Sequence, residues 1–148
     1  MDKHLTFKEE RFSEIKGELS PLLEKNNEEI DLFHAPLIVS SYVYEFMEEH
    51  NASALFTVRH DSKLVGYCLF WIYRHCHHFD QRHAKADVIY IMPEYRGIGR
   101  EFIRYCDEQL KLKAVHFVQH AVPQMNDWGI LLERKGYQKI ETIYSRRL

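Results

Sequence analysis

A chain of 148 residues, 45% hydrophobic and 28% charged, has room for one domain around one core, and this composition excludes collagen-like, disordered and disulfide-scaffold proteins. The formal net charge of −2, with no block of basic residues, argues against a nucleic-acid or membrane-surface partner. Cys68, Cys76 and Cys106 match no disulfide framework or metal knuckle, and no run of about 18 apolar residues occurs, so a cytoplasmic protein is expected.

Leu5, Phe7 and Phe12 suggest a short first strand, followed by a charged helical stretch to Lys25 broken at Ser20-Pro21. A polar run, Asn26 to Asp31, follows. A helix is expected from Pro36 to near Asn51, because Val39, Val43, Phe46 and Met47 share one face opposite Glu45, Glu48 and Glu49. Ala54 to His60 and Leu64 to Tyr73 read as a hairpin turning at Asp61-Ser62-Lys63, its second arm apolar enough for a central strand. His75 to Arg82 reads as a polar loop. Its histidines, with Cys76 and nearby His83, are placed in solvent and not on a metal, since neighbours on an extended segment point to opposite faces.

Ala86 to Met92 is a buried strand closed by Pro93, and Gly99 to Lys113 a helix burying Phe102, Ile103, Cys106 and Leu110. Val115 to Val118 is a further strand and Asn126 to Lys135 a helix ended by Gly136. Gln138 to Tyr144 is expected as a last strand. The order defines one α/β or α+β domain, residues 1–148, with a central mixed, mostly antiparallel sheet flanked by helices.

The chemistry concentrates in VIYIMPEYRGIGR, Val88 to Arg100. A buried strand runs into Arg96-Gly97-Ile98-Gly99-Arg100 at the start of a helix. Glycines admit a phosphate close to the backbone, and the first amides of a helix offer unpaired donors and a positive dipole end. A turn that merely joins strand to helix is the bland alternative. The buried strand before it, the two flanking arginines and the amphipathic helix after it favour the anion site.

At these residues the chain resembles the GCN5-related N-acetyltransferases, the GNAT superfamily, whose motif A is a strand, a V-x-P-E-Y-R-G-x-G-x-G-like loop and a helix. Leu131 to Tyr137, LLERKGY, looks like that superfamily's motif B, and the closing Ile143 to Leu148 is similar to compact phage- or prophage-encoded members. The resemblance implies acetyl-CoA as cosubstrate and direct acetyl transfer to the primary amine of a small molecule or a protein, with no metal. A homodimer through the last strand or the Pro36 helix is compatible with it.

It also implies roles. The backbone amides of Ile91 and Met92 would polarise the thioester carbonyl. Arg96, Gly97, Ile98, Gly99 and Arg100 would hold the pyrophosphate, and Asn126 would contact the cosubstrate's arm or simply cap its helix. Asp87 is the first candidate base, its alternative being a pair with Lys85 or Arg82; His120 is the second, its alternative being a packed histidine. Two departures stand out. Glu94 lies where Gln or Arg is usual, or else the loop is two residues short. Leu132 occupies the usual place of the acid tyrosine, which leaves Tyr144 or Tyr137 for that part. A binding or inhibitory protein that keeps the fold without turnover is the other class of reading.

Overall fold

β-Rich runs separated by tight turns pair with their sequence neighbours, and the three runs from Ser53 to Ile91 do so twice in succession. The computed structural model describes residues 4–30 and 34–148. Strands β1 (Leu5–Glu10), β2 (Ser53–His60), β3 (Lys63–His75) and β4 (His78–Ile91) form an antiparallel meander, and β5 (Phe117–Gln119) joins the far side of β4 in parallel. The mixed, mostly antiparallel sheet flanked by helices is the expected architecture.

Helices α1 (Phe12–Ile30) and α2 (Ser41–Glu49) cover one face. Helix α3 (Gly99–Leu112) covers the other, where Phe102 and Tyr105 meet Phe7 and Tyr105 meets Phe56. Short α4 (Gly129–Glu133) follows β5. Phe102, Ile103, Cys106 and Leu110 are the buried residues of α3, as its periodicity requires.

Several boundaries differ from the sequence expectation. Pro21 does not break α1, which runs on through Lys25 to Ile30. An interior proline costs about 3 kcal/mol. Ile15, Leu19, Leu22 and Leu23 pack the helix on both sides of it, and each buried aliphatic side chain contributes roughly 1.5–3 kcal/mol, so tertiary burial outweighs the lost hydrogen bond. Asn26 to Ile30, read as a polar run, are therefore helical; Asp31 lies outside the described residues. Phe12 opens α1 and does not belong to β1.

Helix α2 begins at Ser41, five residues after Pro36, with Val39 packed on the core ahead of it. The histidine segment is a hairpin and not a loop. β3 runs to His75 and β4 starts at His78; the rings of His75, His78 and His83 lie 5.2–5.3 Å apart from His75 outward, and Arg74 Nη1 donates to Phe79 O. Among the described residues no group of three or more His, Cys, Asp or Glu side chains is arranged to hold a metal ion.

Pro93–Ile98 is a 3-10 helix that runs straight into α3. The β5 strand begins two residues later than Val115, and the segment from Asn126 is a 3-10 turn (Gln124–Asn126) followed by α4. Gly136, φ +89°, ends that region, and Tyr137 N–H donates back to Leu132 C=O, a glycine-stopped helix end as expected. Gln138 to Tyr144 is not a strand. Its β-branched residues suit one, but an extended segment becomes a strand only by laddering with another, and Ile140, Ile143 and Tyr144 are exposed. No helix among the described residues is long and apolar enough to cross a membrane.

Replacing Pro21 by Ala restores a donor towards the Gly17 carbonyl. Since proline costs about 3 kcal/mol inside a helix and returns at most about 1 through the unfolded chain, Pro21→Ala should raise stability by about 2 kcal/mol in urea unfolding.

Candidate active site

The site follows from how β4 is held. On one side it pairs with β3 from His78 to Ile91, with a bulge at Asp87: Phe70 faces Ala86 and Leu69 faces Val88, so Asp87 is an extra residue in the ladder. On the other side β5 pairs with it only at His83, Ala84 and Lys85. Beyond Lys85 the two strands part. His120 leaves β5 to pack between Phe70, Trp128 and Tyr137, and Pro123, which has no N–H, follows.

The parting opens a cavity of about 240 Å³ through the sheet. Asn26, Glu29 and Ile30 of α1 wall it on one face, Gly99 and Ile103 of α3 with Leu131 of α4 on the other. Asp87 to Ile91 form its floor, and Asn126 and Trp128 its far edge.

Ladder alternation determines which amides face this gap. Met92 N–H donates to Val65 C=O at 2.9 Å, so Met92 and Val65 form a hydrogen-bonded pair, and so in alternation do Tyr90 with Tyr67 and Val88 with Leu69. Ile89 and Ile91 therefore turn their N–H and C=O groups the opposite way, into the gap. In agreement, Arg96 Nε donates to Ile91 C=O at 3.1 Å from that side. Of the two expected amide donors, Ile91 faces the gap and Met92 does not. Ile89 was missed, because only the register with β3 identifies it.

The loop residues lie at the mouth. Gly97 and Gly99 are uncrowded: a Cβ on Gly97 would meet nothing within 4 Å, and one on Gly99 only Ile91 Cδ1 at 4.0 Å. No side chain caps the amino end of α3, where Ile98 is the N-cap residue. Compaction of the loop has a consequence, since Gly99 N–H is already used by Arg96 C=O. Arg96 is engaged too, forming two hydrogen bonds of 2.6 and 2.7 Å with the Glu29 carboxylate and lying 5.9 Å from the Tyr90 ring centre. Arg100 is exposed.

The candidate acid–base residues separate sharply. Asp87 is exposed at the gap, and its partner is neither Lys85 nor Arg82 but Tyr44, whose hydroxyl donates to Oδ2 at 3.1 Å. Burial, and then the neighbouring Asp87 charge, push the Tyr44 hydroxyl up to about 12. Arg82 instead donates to Lys113 C=O. Both His120 nitrogens are shut off from solvent without a hydrogen-bond partner among the described residues, and desolvation lowers this imidazole to about 4. His120 does not line the cavity. Its packed reading is the one that fits, because a neutral, unpartnered ring away from the gap has no route to a substrate proton.

Tyr144 is 92% exposed and away from the gap. Tyr137 is a packed aromatic whose hydroxyl donates to Asp107, with burial raising both groups. Leu132, at the usual acid position, is buried. Asn26 is a further residue the sequence reading missed: it is the one polar member of the buried stripe of α1 and it faces the cavity. Extending the Ile15–Leu19–Leu22 period by one turn would have found it, had Pro21 not been read as a stop.

A mixed sheet whose parallel pair splays at a buried strand, with a glycine-bearing helix start at the mouth, defines an acyltransferase-like site. The chain belongs to the Acetyltransferase (GNAT) family, whose sequence pattern matches residues 19–130. No curated protein matches it in sequence. Solved structures share the fold. A ribosomal-protein-alanine N-acetyltransferase from Brucella melitensis biovar Abortus 2308 is 19% identical with a TM-score of 0.77, covering 97% of each chain. An aminoglycoside acetyltransferase from an uncultured soil metagenomic sample, in complex with trehalose, is 15% identical with a TM-score of 0.73 over 99% of each chain. A predicted acetyltransferase with acetyl-CoA from Clostridium acetobutylicum is 10% identical with a TM-score of 0.72, over 97% of this chain and 96% of that one.

The unfolded chain takes up a proton at a histidine near 6.5 and folded His120 only near 4, so the unfolded state binds more protons between those values. Stability must fall as the pH drops through that window, by about 2 kcal/mol from this residue between pH 7 and pH 5. His83, also lowered by burial, acts in the same direction. In His120→Phe, urea unfolding at the two pH values should show a loss smaller by that amount.

Proposed function

We propose that the chain, as a single domain, is an acetyl-CoA-dependent N-acetyltransferase that acetylates a primary amine by direct attack. The observation that carries this reading is the parting of β4 from β5 beyond Lys85, which turns the Ile89 and Ile91 amides towards the same gap as Asp87 and the start of α3. Acetyl-CoA would supply the activated acetyl group, whose carbonyl carbon bonds the amine nitrogen as its bond to sulfur breaks.

The residues fit that cosubstrate in part. Open space at Gly97 and Gly99 and the uncapped α3 favour a phosphate group beside them, and Asn126 lies where an extended arm would pass. Arg96 can meet a phosphate only by leaving Glu29, so Arg100 is the readier charge. Ile91 N–H, and Ile89 N–H in place of Met92, would hold the carbonyl oxygen as negative charge builds on it. Asp87 would take the proton that the amine nitrogen gives up. With His120 and Tyr144 away from the gap, the proton for the departing thiolate is assigned to solvent.

An amine acceptor is supported by the activities of two fold relatives, on ribosomal-protein alanine and on aminoglycosides. The exposed apolar residues of α2 and of the last twelve residues, among them Tyr42, Ile140 and Ile143, support a homodimer. Free Cys68, Cys76 and Cys106 support residence in a reducing cytoplasm. A phage or prophage source rests on the closing Ile143 to Leu148 pattern alone.

Calorimetric titration with acetyl-CoA and with an analogue lacking the pyrophosphate tests the site: binding in the micromolar range that depends on the pyrophosphate supports it, and no binding at millimolar concentration removes it. Gly99→Glu should keep the fold, because φ is −53° and nothing crowds a Cβ there, yet weaken acetyl-CoA binding about tenfold or more through bulk and like charge. Asp87→Asn should lower kcat by roughly 10²–10⁴-fold with little effect on acetyl-CoA affinity, and parental turnover would remove the base assignment.

A further inference from the structure

Strand β4 carries an extra residue at Asp87, and the side chain re-aimed by that bulge meets a tyrosine from a separate helix. Tyr44 reaches across from α2, and its ring is gripped on both faces, by Phe12 at 4.8 Å and Trp71 at 5.2 Å between ring centres. A side chain held in this way has little freedom, so its hydroxyl is aimed before any substrate arrives. Among the described residues no other side chain hydrogen-bonds Asp87.

We infer that Tyr44 is a positioning residue for Asp87, its hydroxyl donating to Oδ2 so that the carboxylate stays turned into the gap, where it receives the acceptor amine's proton. This rests on the reading of Asp87 as the base. Only one of the two oxygens is used, and Oδ1 remains for the proton.

The other titratable and charged groups around Asp87 do not duplicate this role. Tyr67 of β3 has a hydroxyl shut off from solvent without a hydrogen-bond partner among the described residues, and its ionisation is opposed by burial and by Tyr44, Cys68, Asp87 and Tyr90. The Cys68 thiol, also of β3, is buried and likewise pushed up by burial. Lys85 of β4 pairs in register with Trp71 and Gln119, on the near side of the bulge. Glu29 of α1 and Arg96, on the wall of the gap, neutralise each other. Tyr90 of β4 lies under Arg96.

Tyr44→Phe keeps the aromatic stack and removes only the hydroxyl, so the melting temperature should barely change. Steady-state kinetics with acetyl-CoA and a panel of primary amines test the assignment: in Tyr44→Phe kcat should fall several-fold while KM for acetyl-CoA holds.

Parental kcat in Tyr44→Phe overturns the role of Tyr44. Asp87→Asn, run in parallel, separates the two failures. If that variant keeps parental turnover, the base reading falls and the inference with it. If it is inactive while Tyr44→Phe keeps the parental kcat, only the inference falls.

Discussion

Strand β4 is paired from end to end on one side, apart from two register shifts, and at three residues on the other, and this asymmetry generates the site. Backbone donors inside a sheet are normally consumed by the next strand. Here β5 supplies that partner at His83, Ala84 and Lys85 and then departs, so the amides of Ile89 and Ile91 face a gap that passes between two helical layers. The departure is itself a packing event. His120 packs among Phe70, Trp128 and Tyr137, and desolvation keeps its ring neutral there.

Charge around the gap is arranged with economy. Arg96 is held by Glu29 from α1, by Ile91 C=O and over Tyr90, so the loop cation is fixed by an internal carboxylate and its direction is set. The same contact ties the end of α1 to the start of α3 across the opening. An ion pair about one-third to two-fifths exposed contributes little to stability. Its importance is geometric, because any external phosphate seeking Arg96 competes with a carboxylate already in place.

Much of this was legible in the chain. The Ala86 to Met92 run with Pro93 after it marks a buried strand, Gly99 with Phe102, Ile103, Cys106 and Leu110 marks the helix and its face, and Gly136 marks a helix end. Each is a local rule acting over one or two turns. Where the reading erred, a distant partner decided. Pro21 was outweighed by apolar burial against the sheet, and the histidine segment became a hairpin because its two arms pair and its rings meet. Gln138 to Tyr144 has the β-branched residues of a strand but pairs with none among the described residues.

The candidate site divides in the same way. Residue type and spacing alone marked the Arg96 to Arg100 turn as an anion site and singled out Asp87 as a charged residue on a buried strand, since both depend on what a backbone or a carboxylate does locally. Only the tertiary structure decided that Met92 N–H is spent on Val65 while Ile89 and Ile91 face the gap, that His120 is sealed away, and that Tyr44 and Asn26 belong to the site. The physical reason is that hydrogen-bond direction depends on strand register, and proton affinity on burial. Both are set by residues far apart in the chain, as Tyr44 and Asp87 are, and no local pattern records them.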